Sequence, residues 1–165
     1  MVKLIISEFS EGHYLRERDA KPVDLLLDQD EPFNQPIHIS FDIEKIGRNI
    51  IIKTKLAAKV DLVCDRCAEP FSRTITDTLQ LIFTTDQALA GREEEDIFLI
   101  DEATPFVDIT EPLRETLLLA LPLKRLCDDE CKGLCPSCGV NLNIAKCTCD
   151  TDHIDPRWEK LKELL

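Results

Sequence analysis

The sequence is short of aromatic residues, with seven Phe, one Trp and one Tyr among 165 positions, which leaves little material for base-stacking platforms. Glycine is scarce as well, and no G-x-x-x-x-G-K-[ST] phosphate loop, G-x-S-x-G elbow or H-E-x-x-H pair occurs. Without these devices the chain reads as non-enzymatic. Long apolar runs are missing: Leu117–Leu121 falls far short of a membrane span, and the run after Met1 is too short for a signal peptide. A soluble, cytoplasmic protein with no membrane partner is expected. Positive charge is also in deficit, with 20 basic residues against 32 acidic ones and a net charge of -12. A bare nucleic-acid binder shows the opposite balance, because its affinity comes from neutralising phosphates. The acidity serves solubility or the docking of basic partners, and charge alone does not separate the two.

Two thirds of the chain is patterned for strands. Gln35–Ile46 is one candidate. In Ile50–Cys64, Leu56, Ala58, Val60, Leu62 and Cys64 alternate with Lys55, Ala57, Lys59, Asp61 and Val63, the period of a half-buried strand. Phe71, Ile75, Leu79, Leu81 and Phe83 share one parity of the next run, and the two runs form an antiparallel pair across Cys64–Pro70. Gln87–Asp96 reads as a mobile charged loop before a short strand at Ile97–Ile100. Asp108 and Glu111 have capping-box spacing ahead of a helix with Leu113, Leu117 and Leu121 on one stripe, Pro112 in its first turn and Pro122 ending it. A terminal helix is expected from Asp155, with Pro156 at its first position and Trp158, Leu161 and Leu165 on its apolar face. The fold class is α+β: an antiparallel β-sheet domain with a helix, over 1–122, and a small C-terminal cysteine-rich zinc-binding lobe with the terminal helix, over 123–165.

Eight cysteines dominate what is present. Cys64 and Cys67 form a C-x-x-C pair at the strand turn. Cys127, Cys131, Cys135, Cys138, Cys147 and Cys149 crowd the C-terminal region. In a reducing compartment such clusters point to metal or redox chemistry and away from disulfides. A C-x-x-C turn lets two thiolates reach one tetrahedral ion, and its amides can face the sulfurs. Cys135-Pro-Ser-Cys138-Gly139 has the added marks of a knuckle: Pro136 presets the turn and Gly139 can take a positive φ. A thioredoxin-like pair at Cys64/Cys67 lacks a surrounding βαβ pattern. An iron–sulfur cluster also takes four thiolates, and spacing does not separate it from zinc, the leading cofactor. The expected partition is a local set, Cys135, Cys138, Cys147 and Cys149, and a second joining Cys64 and Cys67 to Cys127 and Cys131, which would pin the lobe to the sheet. Cys131 and Cys135 are close enough in sequence to share an ion instead. His13 and His38 read as solvated strand residues, and His153 as a reserve ligand.

Val63-Cys64-Asp65-Arg66-Cys67, the acidic middle loop, Leu121-Pro122-Leu123 and the run Cys131-Lys-Gly-Leu-Cys135-Pro-Ser-Cys138-Gly-Val-Asn-Leu-Asn143 resemble the bacterial YceD family, as does Asp155-Pro156-Arg157-Trp158. The resemblance spans about Val23 to the end. It implies a role in accumulation or maturation of large-subunit ribosomal RNA, without catalysis, and a partner that is this RNA or a large-subunit ribosomal protein. RNA contact by so acidic a chain requires a local basic patch, for which Arg66, Arg73, Lys124, Arg125, Lys132 and Lys146 are the candidates. The other functional reading, from a different class, is a thiol-based redox or zinc-release sensor.

Overall fold

The computed structural model describes residues 1–90 and 96–149. The expected terminal helix, His153 and part of the charged loop lie outside this range. The described residues form two compact units, Met1–Leu62 with Phe71–Leu123, and Val63–Pro70 with the chain from Lys124 onward.

The first unit is built on a five-stranded sheet. Its strands are β2 (Gly12–Ala20), β3 (Ile37–Ile46), β4 (Asn49–Val63), β5 (Pro70–Thr84) and β6 (Ile97–Leu99), in that spatial order. β2, β3 and β4 pair antiparallel, with Ile39 opposite Arg18 on one side and Leu56 on the other. β3 turns into β4 through Gly47-Arg48, where Gly47 has φ +54°, a conformation that suits glycine at the first position of a two-residue hairpin. β4 and β5 are neighbours joined by six residues, too few for a parallel crossover, so they run antiparallel. β6 instead pairs parallel with β5, Ile82 opposite Ile97, after about a dozen intervening residues. The sheet is therefore mixed, though mostly antiparallel. Part of the crossover is not an irregular loop: Gln87–Ala90 makes a helical turn (α1), started by Asp86, whose carboxylate accepts from the Ala88 amide at 2.9 Å.

The alternation seen in the sequence becomes burial. Ile37, Ile39, Phe41 and Ile43 of β3 and Ile52, Leu56, Ala58, Val60 and Leu62 of β4 are buried on one face, with Ile75, Leu81 and Phe83 of β5. Helix α2 (Thr110–Leu119) contributes Leu113 and Leu117 to the same core. A small antiparallel pair, β1 (Lys3–Ile5) with β7 (Phe106–Asp108), leads into this helix. Its start differs from a capping box. The N-cap residue is Ile109, and the Asp108 carboxylate accepts from the Thr110 amide at 3.0 Å and from its hydroxyl. Thr110 Oγ1 in turn receives the Val2 amide at 2.8 Å, so the hydroxyl closes the N-terminal strand onto the helix. Pro112 lies in the first turn, where its missing N–H has no intrahelical partner to lose. No helix among the described residues is long and apolar enough to cross a membrane.

Candidate metal centre

The second unit opens with a tight turn between β4 and β5 and repeats that turn further along. At the first, the Cys64 amide donates to Glu69 O and the Ala68 amide to Cys64 O, both at 2.9 Å. At the second, the Cys135 amide donates to Val140 O and the Gly139 amide to Cys135 O, again at 2.9 Å. The two C-x-x-C knuckles thus share one backbone pattern. Each needs a left-handed residue just after its second cysteine: Gly139 has φ +73°, whereas Ala68 holds φ +59° with a side chain attached.

The knuckles collect the eight cysteines into two sets. Cys64, Cys67, Cys127 and Cys131 form one, and Cys135, Cys138, Cys147 and Cys149 the other, with the sulfurs of each set within 4.8 Å of one another. Cys131 and Cys135, four apart in sequence, belong to different sets. The Sγ atoms of Cys64 and Cys131 are 3.9 Å apart, those of Cys67 and Cys127 3.7 Å, Cys138 and Cys147 3.6 Å, and Cys135 and Cys147 3.3 Å. A tetrahedral ion held by arms of about 2.3 Å sets its sulfurs about 3.8 Å apart. Both sets therefore fit a four-thiolate ion, and all eight cysteines are free of disulfides.

Electrostatics supports the same reading. In the first set the backbone amide of Cys127, followed by those of Cys67 and Arg66, holds the Cys64 thiol down at about 6 against burial. In the second, the amides of Cys138 and Ser137 and the Cys147 side chain hold Cys135 at about 6. One sulfur of each set moves strongly the other way. Cys127 is pushed up to about 12, first by loss of water around its sulfur and then by the Cys64, Cys131 and Cys67 side chains. Contact with Cys147 and then Cys138 raises Cys149 to about 12. Four thiolates so close cannot all ionise without a cation among them. Each set can hold a metal ion.

The supporting residues were not legible from spacing. Arg66 Nη1 donates to Asp129 O and Cys131 O, both at 2.9 Å, which fixes the Cys127–Cys131 segment beside the first knuckle. Asp65 exchanges two bonds with Arg125, giving its amide to the Arg125 carbonyl at 2.8 Å and accepting the Arg125 amide at 2.7 Å. Asn143 Nδ2 donates to Cys131 Sγ at 3.3 Å. Asp65, Arg66, Gly133, Asn141 and Asn143 all fall within the runs that carried the family resemblance, but nothing in their spacing marked these contacts. Of the other candidate bases, Lys124, Arg125, Lys132 and Lys146 are exposed in this unit, and Arg73 is exposed on β5 of the other. His13 and His38 belong to neither set and form cross-strand pairs with Asp42 at 2.6 Å and Asp19 at 2.9 Å.

A family model described as large ribosomal RNA subunit accumulation protein YceD matches residues 52–165, a stretch that contains every cysteine. The chain belongs to the YceD family. It is 30% identical over 132 residues to an uncharacterized protein of Mycobacterium tuberculosis, a match covering 78% of this chain and 62% of the relative. It is 24% identical over 162 residues to the chloroplastic large ribosomal RNA subunit accumulation protein YCED homolog 1 of Arabidopsis thaliana, covering 82% of this chain and 50% of the plant protein. With YlbN of Bacillus subtilis it shares 25% identity over 155 residues, 84% of this chain and 87% of YlbN. The mycobacterial and plant relatives thus extend well beyond the matched region. No solved structure matches the chain.

Proposed function

We propose that this chain is a non-enzymatic cytoplasmic factor supporting the accumulation or maturation of large-subunit ribosomal RNA, with a cysteine lobe kept folded by two zinc ions. The observation that carries this is the family match across residues 52–165, which takes in both four-thiolate sets. All-sulfur, closed tetrahedral sets favour zinc, which holds structure without redox change. Four protein ligands on each ion leave no open position for a substrate, which argues against catalysis. Contact with ribosomal RNA or a large-subunit ribosomal protein falls to the surface of the lobe, where Lys124, Arg125, Lys132 and Lys146 are exposed. In a chain of net charge -12, phosphate contact has to be local.

The test is depletion of the chain followed by measurement of large- against small-subunit ribosomal RNA. A selective fall in the large-subunit RNA is expected, restored by the unaltered chain and not by Cys64→Ser. Equal ratios after depletion would sink the reading. Replacement of Lys124, Arg125 and Lys132 by Gln should weaken co-sedimentation with large-subunit particles and flatten its salt dependence, with metal content unchanged.

A second reading, a thiol-based redox or zinc-release sensor, draws on the two thiols held at about 6 and on the 3.3 Å contact between Cys135 and Cys147. Two thiols joining into a disulfide give two protons and two electrons to an oxidant such as a peroxide. Metal release at oxidant levels that leave other zinc proteins loaded would favour the sensor.

A further inference from the structure

We infer that the two thiolate sets load their ions cooperatively, and that Asn143 is the positioning residue that couples them. The inference rests on the metal reading above and goes further, because two neighbouring sites need not communicate.

The sets share a stave. Cys131 ends the first set and Cys135 begins the second, and each of the three residues between them is tied across. Lys132 gives its amide to Asn143 Oδ1 at 2.8 Å. Gly133 O accepts the Leu142 amide at 2.9 Å, and the Leu134 amide donates to Arg66 O at 3.0 Å. The last bond brings the first knuckle against the flank of the second. The approach is close: a Cβ on Gly133, at φ +74°, would lie 3.0 Å from Arg66 O. Metal loading at either end of this stave constrains the other end.

Asn143 carries the link through one side chain. It sits in the loop from Cys138 to Cys147, between two cysteines of the second set. Its amide nitrogen nevertheless donates to Cys131 Sγ of the first set at 3.3 Å and to Asn141 Oδ1 at 2.9 Å. Its oxygen takes the Lys132 amide. Only one orientation of the side chain satisfies all three bonds, since the flipped amide would set oxygen against sulfur and N–H against N–H. A hydrogen bond to a thiolate stabilises its charge and orients the sulfur, and such supporting partners typically account for about 10- to 100-fold in metal affinity. While the second set is empty its loop is untied at Cys147 and Cys149, and the donor to Cys131 is lost. By reciprocity, filling the first set favours the second by the same factor.

The experiment titrates zinc into the reduced, metal-free full chain and reads the zero-, one- and two-ion species by native mass spectrometry. Cysteine alkylation then maps which set each ion protects. The unaltered chain should pass from zero to two ions with the one-ion form below its statistical share. In Asn143→Ala the one-ion form should accumulate, carrying its ion on Cys135, Cys138, Cys147 and Cys149, with affinity at the first set lower by about 10- to 100-fold. Ile144→Ala, an exposed neighbour in the same loop, should leave the species distribution unchanged. Cys149→Ser supplies a second arm that leaves Asn143 intact: weakening the second set should also lower the first set's affinity. A statistical one-ion population in the unaltered chain, or first-set affinity unaffected by both Asn143→Ala and Cys149→Ser, would overturn the coupling while leaving two structural ions in place. An unaltered chain that takes up no zinc would overturn the metal reading itself, and the coupling with it.

Discussion

The two units of this protein hold themselves together by different means. In the sheet unit, side chains from Val2 to Leu117 bury one continuous apolar core. Among the described residues of the cysteine unit, the buried side chains are those of Cys64, Cys67, Cys131 and Cys135. Each Leu or Ile fully buried in the sheet contributes about 1.5–3 kcal/mol through removal of apolar surface from water. The lobe has no such reserve, and on the metal reading proposed above its stability rests on ions held by its two groups of sulfurs. One unit is a solvent-exclusion fold and the other, on that reading, a coordination fold.

Removing metal breaks this comparison most sharply. Chelation should unfold residues 63–70 and 124–149, as judged by amide hydrogen exchange, while protection in β3, β4 and the core of β5 persists. A structural zinc is worth about 10–16 kcal/mol of folding free energy in small metal-dependent modules. Loss of protection throughout the sheet on chelation would show that the first unit does not stand by itself.

Acid should act on the lobe almost as strongly. Cys64 and Cys135 are held below the ordinary thiol value of 9.0, at about 6, so the folded lobe favours their ionised forms. In the metal-free lobe their contribution is complete above pH 9 and is lost as the pH falls through about 6. In the loaded lobe, protons compete with the ion for the same sulfurs, which again favours release in acid. Metal release followed with a chromophoric chelator should accordingly rise as the solution is taken from pH 7 to pH 5. A flat metal content down to pH 4 would contradict this. Leu113→Ala makes the reverse cut. It truncates a fully buried side chain and should cost the sheet unit about 2–5 kcal/mol in denaturant unfolding, with metal stoichiometry unchanged.

The glycines sharpen the comparison within the lobe. Gly133→Ala meets both a left-handed backbone and the Arg66 carbonyl, and should weaken metal retention more than Gly139→Ala, which has the same backbone but open space around it. The latter should cost about 1 kcal/mol, the ordinary strain of a side chain at positive φ. Ala68→Gly is the smallest change, a stabilisation of under about 1 kcal/mol, because relief of strain is offset by the greater freedom of glycine in the unfolded chain. Equal effects at Gly133 and Gly139 would mean that the close approach to Arg66 carries no weight.

What was legible in the sequence follows the same division. β3, β4 and β5 could be read because one face of each is buried, and burial writes a period of two into the residues. β2 could not: Gly12–Ala20 is an edge strand exposed on most of its length, held by backbone pairing to β3, and its polar composition carries no alternation. The parallel direction of β6 depends on the length of its crossover, which three strand residues do not reveal. The cysteine sets were legible because a C-x-x-C pair has few geometric solutions and a hairpin turn presents it ready-made. Asn143 was not, since an asparagine contacting a sulfur twelve residues away looks in sequence like any turn residue.

The knuckle at Cys64–Cys67 has one more consequence, in the order of synthesis. Cys138 and Cys147 of the second set are 9 residues apart, whereas Cys67 and Cys127 of the first are separated by 60. By chain entropy alone the longer closure costs about 1.7 kcal/mol more. The delay matters more than the cost. At ordinary rates of translation, roughly 3–12 s pass between the making of Cys67 and of Cys127. For that interval the nascent chain carries a bare pair of thiols, open to any soft ion or oxidant that arrives before its two remaining ligands exist.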